Sequence, residues 1–137
     1  MANDPIAELV QLLSLLPGVG ERTATRYAHH LLGQDASIAG AIAASIGTIH
    51  QRVHRCVECG NWGAAELCGI CASPRRDASL ICVVARVPDL VAIERGGSYQ
   101  GRYHVLHALL APLDGMGPDR IDVDRLIARV RKDAVEE

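Results

Sequence analysis

Two CxxC pairs, Cys56-Val57-Glu58-Cys59 and Cys68-Gly69-Ile70-Cys71, stand eight residues apart and hold four of the five cysteines. Four thiolates drawn to one point form a closed tetrahedral set, which Zn²⁺ accepts readily because it has no geometric preference of its own. A full shell of sulfur leaves no position for water, so such a metal holds a fold together and activates nothing. Glycines fall where knuckles of this type need a positive φ, at Gly60 after the first pair and Gly69 inside the second. With four sulfurs supplied, His54 reads as a surface residue or a neighbour of the site, not as a ligand.

Other uses of the same cysteines can be weighed. Two disulfides need an oxidising compartment, and Met-Ala-Asn-Asp-Pro offers neither the basic nor the apolar stretch of a secretory leader. A thioredoxin-like pair needs one CxxC to open a helix after a strand, which neither pair is expected to do. An iron–sulfur cluster takes the same soft ligands and stays open on ligand chemistry alone.

The rest of the chain has to make a core without large aromatic side chains. Of 137 residues, 49 % are hydrophobic, yet aromatics are 3 % and phenylalanine is absent, so Leu, Ile, Val and Ala must fill the interior. The length suits one ordinary domain or two to three small modules, and the cysteine site favours modules. A formal net charge of −2 does not announce a nucleic-acid partner. Any contact with phosphates must come from local donors or repeated copies. No apolar run approaches the roughly 20 residues of a bilayer span, and the expectation is a cytoplasmic protein.

Asp4-Pro5 starts a helix, since the carboxylate can accept from an orphan N–H and proline is tolerated at the first helical position. Ile6, Leu9, Val10, Leu12, Leu13 and Leu16 form its apolar stripe. Leu16-Pro17-Gly18-Val19-Gly20 breaks it, and a second helix over 21–32 follows, with Ala24, Tyr27, Ala28 and Leu31 inward and Gly33 as its stop. This is a helix, a Gly-Val-Gly reversal and a helix, as in helix-hairpin-helix modules. Backbone N–H groups at Gly18, Val19 and Gly20, together with the positive end of the second helix dipole, suit a phosphate without reading any base. Arg22 and Arg26, four apart on one face, can add charge-assisted contacts. The alternative is a hairpin of helices that merely packs, and the turn alone leaves both open. A third helix follows Asp35 and Ser37, with Ile38, Ile42, Ile46, Ile49 and Val53 at helical spacing.

Beyond the cysteines, 79–85 reads as a strand buried on both faces with Cys82 as a small core residue, then a helix from Pro88-Asp89 to Gly96-Gly97, and a second strand over 102–106. A structured loop covers 113–118. Asp122 caps a last helix whose Val123, Leu126, Ile127 and Val130 face inward. Strand, helix, strand and helix imply a βαβ unit with parallel strands and an unpaired apolar edge. The fold class is therefore α+β and multi-module.

Nearly the whole chain resembles the RecR family of bacterial recombination mediators. The resembling pieces are LVQLLSLLPGVGERTATRYAHHLL at 9–32, CVEC and CGIC, RRDASLICVV at 75–84 and DLVAIERGGSYQGRYHVLHALLAPLDGMGPDRI at 89–121. The resemblance implies a helix-hairpin-helix DNA-binding module over 1–54, a four-cysteine zinc finger over 55–77 and the N-terminal part of a Toprim domain over 78–137. It implies a structural Zn²⁺ on Cys56, Cys59, Cys68 and Cys71, and phosphate contacts from Arg22 and Arg26. It further implies a non-enzymatic protein that assembles into a ring-like tetramer around DNA and acts with RecO and RecF to load the RecA recombinase at gaps. Family members run to about two hundred residues, so the sequence is expected to stop inside the Toprim domain. A remnant serving only as a protein-interaction module is the alternative. Ala85 stands where Toprim enzymes usually carry a glutamate, which argues against a Mg²⁺-dependent nuclease or primase-like activity.

Overall fold

A computed structural model of the 137-residue chain describes residues 3–108 and 123–137, arranged as two compact units over 1–49 and 50–137. The loop expected over 113–118 and the cap expected at Asp122 lie outside the described residues. Among the described residues no helix is long and apolar enough to cross a membrane.

The first unit begins with α1 (Pro5–Leu13), capped by the Asp4 carboxylate, which accepts from the N–H groups of Ile6 and Ala7 at 3.0 and 3.3 Å. The helix stops at Leu13, short of the expected Leu16. Ser14 turns its hydroxyl back onto the Val10 carbonyl, and the following N–H groups of Leu15 and Leu16 bond three residues back, tightening the end before Pro17. Then comes α2 (Glu21–Leu32), with Ala24 and Ala28 fully buried. Small residues there let the two helices approach closely. Tyr27, expected inward, is exposed and lies beside the Arg26 guanidinium, 5.6 Å from its ring centre.

The third helix, α3 (Ala36–Arg52), has the expected period but buries none of its residues. Ile38, Ile42, Ile46 and Ile49 are all exposed, as are Leu12, Leu15, Leu16 and Leu32 elsewhere in the unit.

In the second unit, β1 (His54–Arg55) and β2 (Trp62–Gly63) form a small antiparallel hairpin around the first cysteine pair, with Arg55 opposite Trp62. A one-turn helix, α4 (Gly69–Ala72), carries the second pair. The Toprim-like part follows as β3 (Asp77–Val84), α5 (Val87–Gly96), β4 (Gly101–Val105) and α6 (Val123–Lys132). Strands β3 and β4 are parallel, as the βαβ reading requires. Pro88 and Asp89 start α5, the Asp89 carboxylate accepting from the Arg86 N–H at 3.1 Å, and Gly97 ends it in the left-handed region.

Three expectations for this part need correction. Strand β3 is not buried on both faces: Val84 is buried, but Val83 is 45 % exposed, the sheet having two strands among the described residues. The sheet edge is not wholly bare. Ile81 N–H donates to the Glu137 carbonyl and Glu136 N–H to that of Ser79, both at 2.8 Å, while the far end of β4 bonds to the cysteine knuckle. Finally, α6 does not face inward through Val123, Ile127 and Val130, which are exposed. Its buried residue is Arg129, whose guanidinium donates to the Tyr103 carbonyl and to His104 Nδ1, fixing the Nε2–H tautomer of His104. An arginine bonded to a main-chain carbonyl and an imidazole holds this helix in place of the expected apolar stripe.

The interior of the Toprim-like part is Val84, Leu90, Tyr103 and Val105. Tyr103 has no exposed surface, and its hydroxyl donates to Glu94 at 2.6 Å. Glu94 in turn receives the Arg76 guanidinium at 2.8 Å, and Arg76 also reaches the Tyr99 and Gly101 carbonyls at 3.3 Å. The Arg76 contact holds the Glu94 carboxyl below its ordinary 4.5, with the Tyr103 hydroxyl assisting against the cost of burial. A carboxylate with a depressed folded pKa contributes stability that is fully present above 4.5 and is lost as pH falls through its lower folded value. Glu94→Ala is therefore expected to lower unfolding stability at neutral pH by about 2 kcal/mol and to remove part of the acid dependence below 4.5. Chemical denaturation at neutral and acid pH measures both.

Candidate metal centre and helix-hairpin turn

The four cysteines converge. Their sulfur atoms all lie within 4.8 Å of one another, and each residue is 0–6 % exposed. Cys59 and Cys68 sulfurs stand 3.6 Å apart, close to the roughly 3.8 Å edge of a tetrahedron with metal–sulfur bonds of about 2.3 Å.

Local structure explains the convergence. Gly60 takes φ +80°, letting its N–H return to the Cys56 carbonyl at 2.9 Å and closing the first knuckle. Gly69, expected to need the same freedom, does not: it is the first residue of α4, and Cys68 caps that helix. The second pair thus does open a helix, of a single turn, contrary to the expectation from spacing. A redox pair still does not result, because these sulfurs face the first pair.

Main-chain N–H groups point at the sulfurs. Cys68 N–H reaches Cys56 Sγ at 3.3 Å, Asn61 N–H reaches Cys59 Sγ at 3.4 Å, and Cys71 N–H reaches Cys68 Sγ at 3.5 Å. Donors of this kind favour thiolates. Without a cation the thiols compete: the Cys71 hydrogen bond pulls Cys59 down to about 5, while its counterpart and burial push Cys71 up, and burial raises Cys68. Four buried sulfurs that cannot all ionise together become compatible when a divalent ion sits among them. The residues present therefore fit a four-coordinate metal, and His54, exposed on β1, stands outside the set.

The knuckle is also the joint to the Toprim-like part. Val105 N–H donates to the Cys59 carbonyl at 2.7 Å, and His107 Nε2 meets the Gly60 carbonyl at 2.6 Å. Arg125 on α6 donates to the Val57 carbonyl. Glu58, between the two cysteines, faces Arg129 Nε at 3.9 Å and Lys132 Nζ at 3.5 Å. Ile70 packs against both the cysteine cluster and the Toprim-like core. None of Arg125, Arg129 or His107 was identifiable from sequence, since an arginine on an amphipathic helix reads as a solvated charge.

In the first unit the reversal has the expected form. Gly18 takes φ +77°, Val19 N–H closes the turn onto the Leu16 carbonyl at 3.1 Å, and Gly20 stands as the N-cap of α2. No side chain caps α2, so the N–H groups of its first turn are left to an external acceptor. Arg22 and Arg26 are both exposed, one helical turn apart. Glu21 occupies the first helical position, where its carboxylate also meets the helix dipole.

A helical hairpin, a closed four-cysteine knuckle and a parallel βαβ unit, in this order, define a modular protein of the class that joins a helix-hairpin-helix, a four-cysteine finger and a Toprim-like sheet. The corresponding family models match in sequence: the RecR helix-hairpin-helix over residues 6–50, the RecR four-cysteine zinc finger domain over 53–73 and the Toprim domain over 79–135. Relatives named Recombination protein RecR include that of Anaeromyxobacter sp. (strain Fw109-5), 46 % identical across 98 % of this chain and 68 % of that protein. Others are from Myxococcus xanthus, 42 % identical over the whole chain and 70 % of its length, and Rhodospirillum rubrum, 46 % identical with the same coverage. The chain belongs to the RecR family.

Substituting any one of Cys56, Cys59, Cys68 or Cys71 by serine is expected to cost on the order of 5 kcal/mol and to abolish metal retention, because binding and folding are coupled. Elemental analysis after gel filtration, paired with thermal unfolding, checks this. A variant that keeps both its metal and its midpoint contradicts it.

Proposed function

We propose that this chain is a DNA-binding accessory protein of recombinational DNA repair, not an enzyme. In this reading the N–H groups at Gly18, Val19, Gly20 and the start of α2 hold a backbone phosphate while Arg22 and Arg26 supply charge. The observation that carries it is the uncapped α2 N-terminus behind a left-handed Gly18, with both arginines exposed beside it. Such a contact is independent of base sequence.

The metal on Cys56, Cys59, Cys68 and Cys71 is zinc in this reading, fastening the knuckle to the Toprim-like part. RecO and RecF are the protein partners, RecA loading at gaps is the outcome, and the setting is the bacterial cytoplasm. The exposed stripe of Ile38, Ile42, Ile46 and Ile49 favours self-association, as in a ring tetramer. Several weak phosphate sites on one assembly would reinforce one another in a chain whose net charge is −2. The same stripe also supports the second reading, in which the chain serves protein contacts alone.

Binding to a gapped duplex across a salt series separates the two, with mass in solution recorded in the same buffer. Replacing Arg22 and Arg26 by alanine is expected to weaken binding and to reduce the salt slope by about two counterions per chain. Unchanged affinity and slope would remove the hairpin from the DNA contact.

A further inference from the structure

Arg22 and Arg26 are the only Lys or Arg residues of the first unit, so the remainder of the fourteen lie in the second. Several of these gather on one face of the cysteine knuckle, around the chain's single tryptophan. Trp62 is 49 % exposed. The guanidinium of Arg55, its cross-strand partner, lies 5.6 Å from the indole centre, and His107 meets the ring edge-on at 5.4 Å.

Trp62 lines one depression, and its neighbours Arg55 and His107 line another. The first, a shallow groove of about 400 Å³, runs from Trp62 to Val87, Pro88, Val91 and Arg95 on α5. It is apolar along its floor and cationic at its end. The second, narrower crevice of about 130 Å³ is lined by Arg55, Arg125, His107 and the buried His104, with main chain from Gly60. Glu58, the acid of the first knuckle, is already engaged by Arg129 and Lys132. No acidic side chain lines either depression among the described residues.

The geometry points to a second nucleic-acid contact, for a single strand, on the knuckle face: a base stacks on Trp62 in the groove, and the adjoining phosphate sits in the crevice between Arg55 and Arg125. Each half needs the other. An exposed indole flanked by arginine offers a π-face that accepts any base, and a cationic crevice lined by that same arginine suits the phosphate to which the base is attached. A duplex cannot use the groove, because its bases are already stacked and paired. The Arg55 guanidinium serves both halves, since it lines the crevice and covers one indole face, leaving the groove side for the base.

Trp62 reports on its own site. In a titration of the intact metal-loaded chain with oligothymidylate, its emission is expected to quench to saturation, with an apparent affinity that falls as salt rises. Labelled oligonucleotide anisotropy should show Arg55→Ala and Trp62→Ala each weakening single-strand binding about tenfold, with Trp62→Phe retaining most of the affinity. All three are expected to keep their metal, because none of these side chains touches a sulfur. In Arg22→Ala/Arg26→Ala the quenching should persist, so a failed hairpin contact and a failed knuckle contact give different results. The proposal is overturned if oligothymidylate leaves the emission unchanged, or if quenching vanishes with Arg22 and Arg26 and survives Arg55→Ala. It is equally overturned if inorganic phosphate alone occupies the crevice and no oligonucleotide competes with it, since the site would then be one for small anions.

Discussion

Four sulfurs within 4.8 Å of one another, all buried, set the terms for the second unit. They cannot share that space as four thiolates without a cation, since each ionised sulfur raises the cost of ionising its neighbours. A metal would resolve the conflict, and the knuckle it would close serves as a fixed point. Strand β4 ends on it through Val105 and Cys59, α6 is tied to it through Arg125 and Glu58, and Ile70 joins its interior to that of the sheet. A two-stranded sheet with one covered face is marginal alone. Fastening it to the knuckle supplies contacts that its own small core of Val84, Leu90, Tyr103 and Val105 does not.

Polar anchors matter more here than the hydrophobic pattern suggests. With no phenylalanine, the interior depends on Tyr103, whose hydroxyl must find a partner once buried. Glu94 provides it and is itself held by Arg76, so strand, helix and loop are joined through one charged chain of hydrogen bonds. Arg129 plays the corresponding part for α6 by donating to the Tyr103 carbonyl and His104.

Much of this was legible in the sequence because it depended on local chemistry. The CxxC spacing named the four cysteines whose sulfurs converge, the Gly-Val-Gly reversal placed the α1–α2 turn, and Asp4-Pro5 and Gly97 marked helix ends at their observed places. What was not legible depended on tertiary context. Gly69 resembles Gly60 in sequence, yet one opens a helical turn while the other takes a positive φ. Val123, Ile127 and Val130 of α6 keep helical spacing but are exposed, because the buried side belongs to Arg129 and its partners, the Tyr103 carbonyl and His104. Periodicity cannot reveal such an arginine, nor the meeting of Arg55, Trp62, His107 and Arg125, which come from segments far apart in the chain.

For a RecR-family chain, the consequence is that a metal held by these four sulfurs would have mechanical reach: it would position the face that carries Trp62 and the end of β4 together. Amide hydrogen exchange before and after metal chelation tests that claim most directly. Removing the metal should abolish protection at Gly60, Cys68 and Val105, whose N–H groups bond within or onto the knuckle, while Ala24 in the first unit keeps its protection. Val105 remaining protected in the metal-free protein would contradict it, showing that the sheet holds its end without the knuckle.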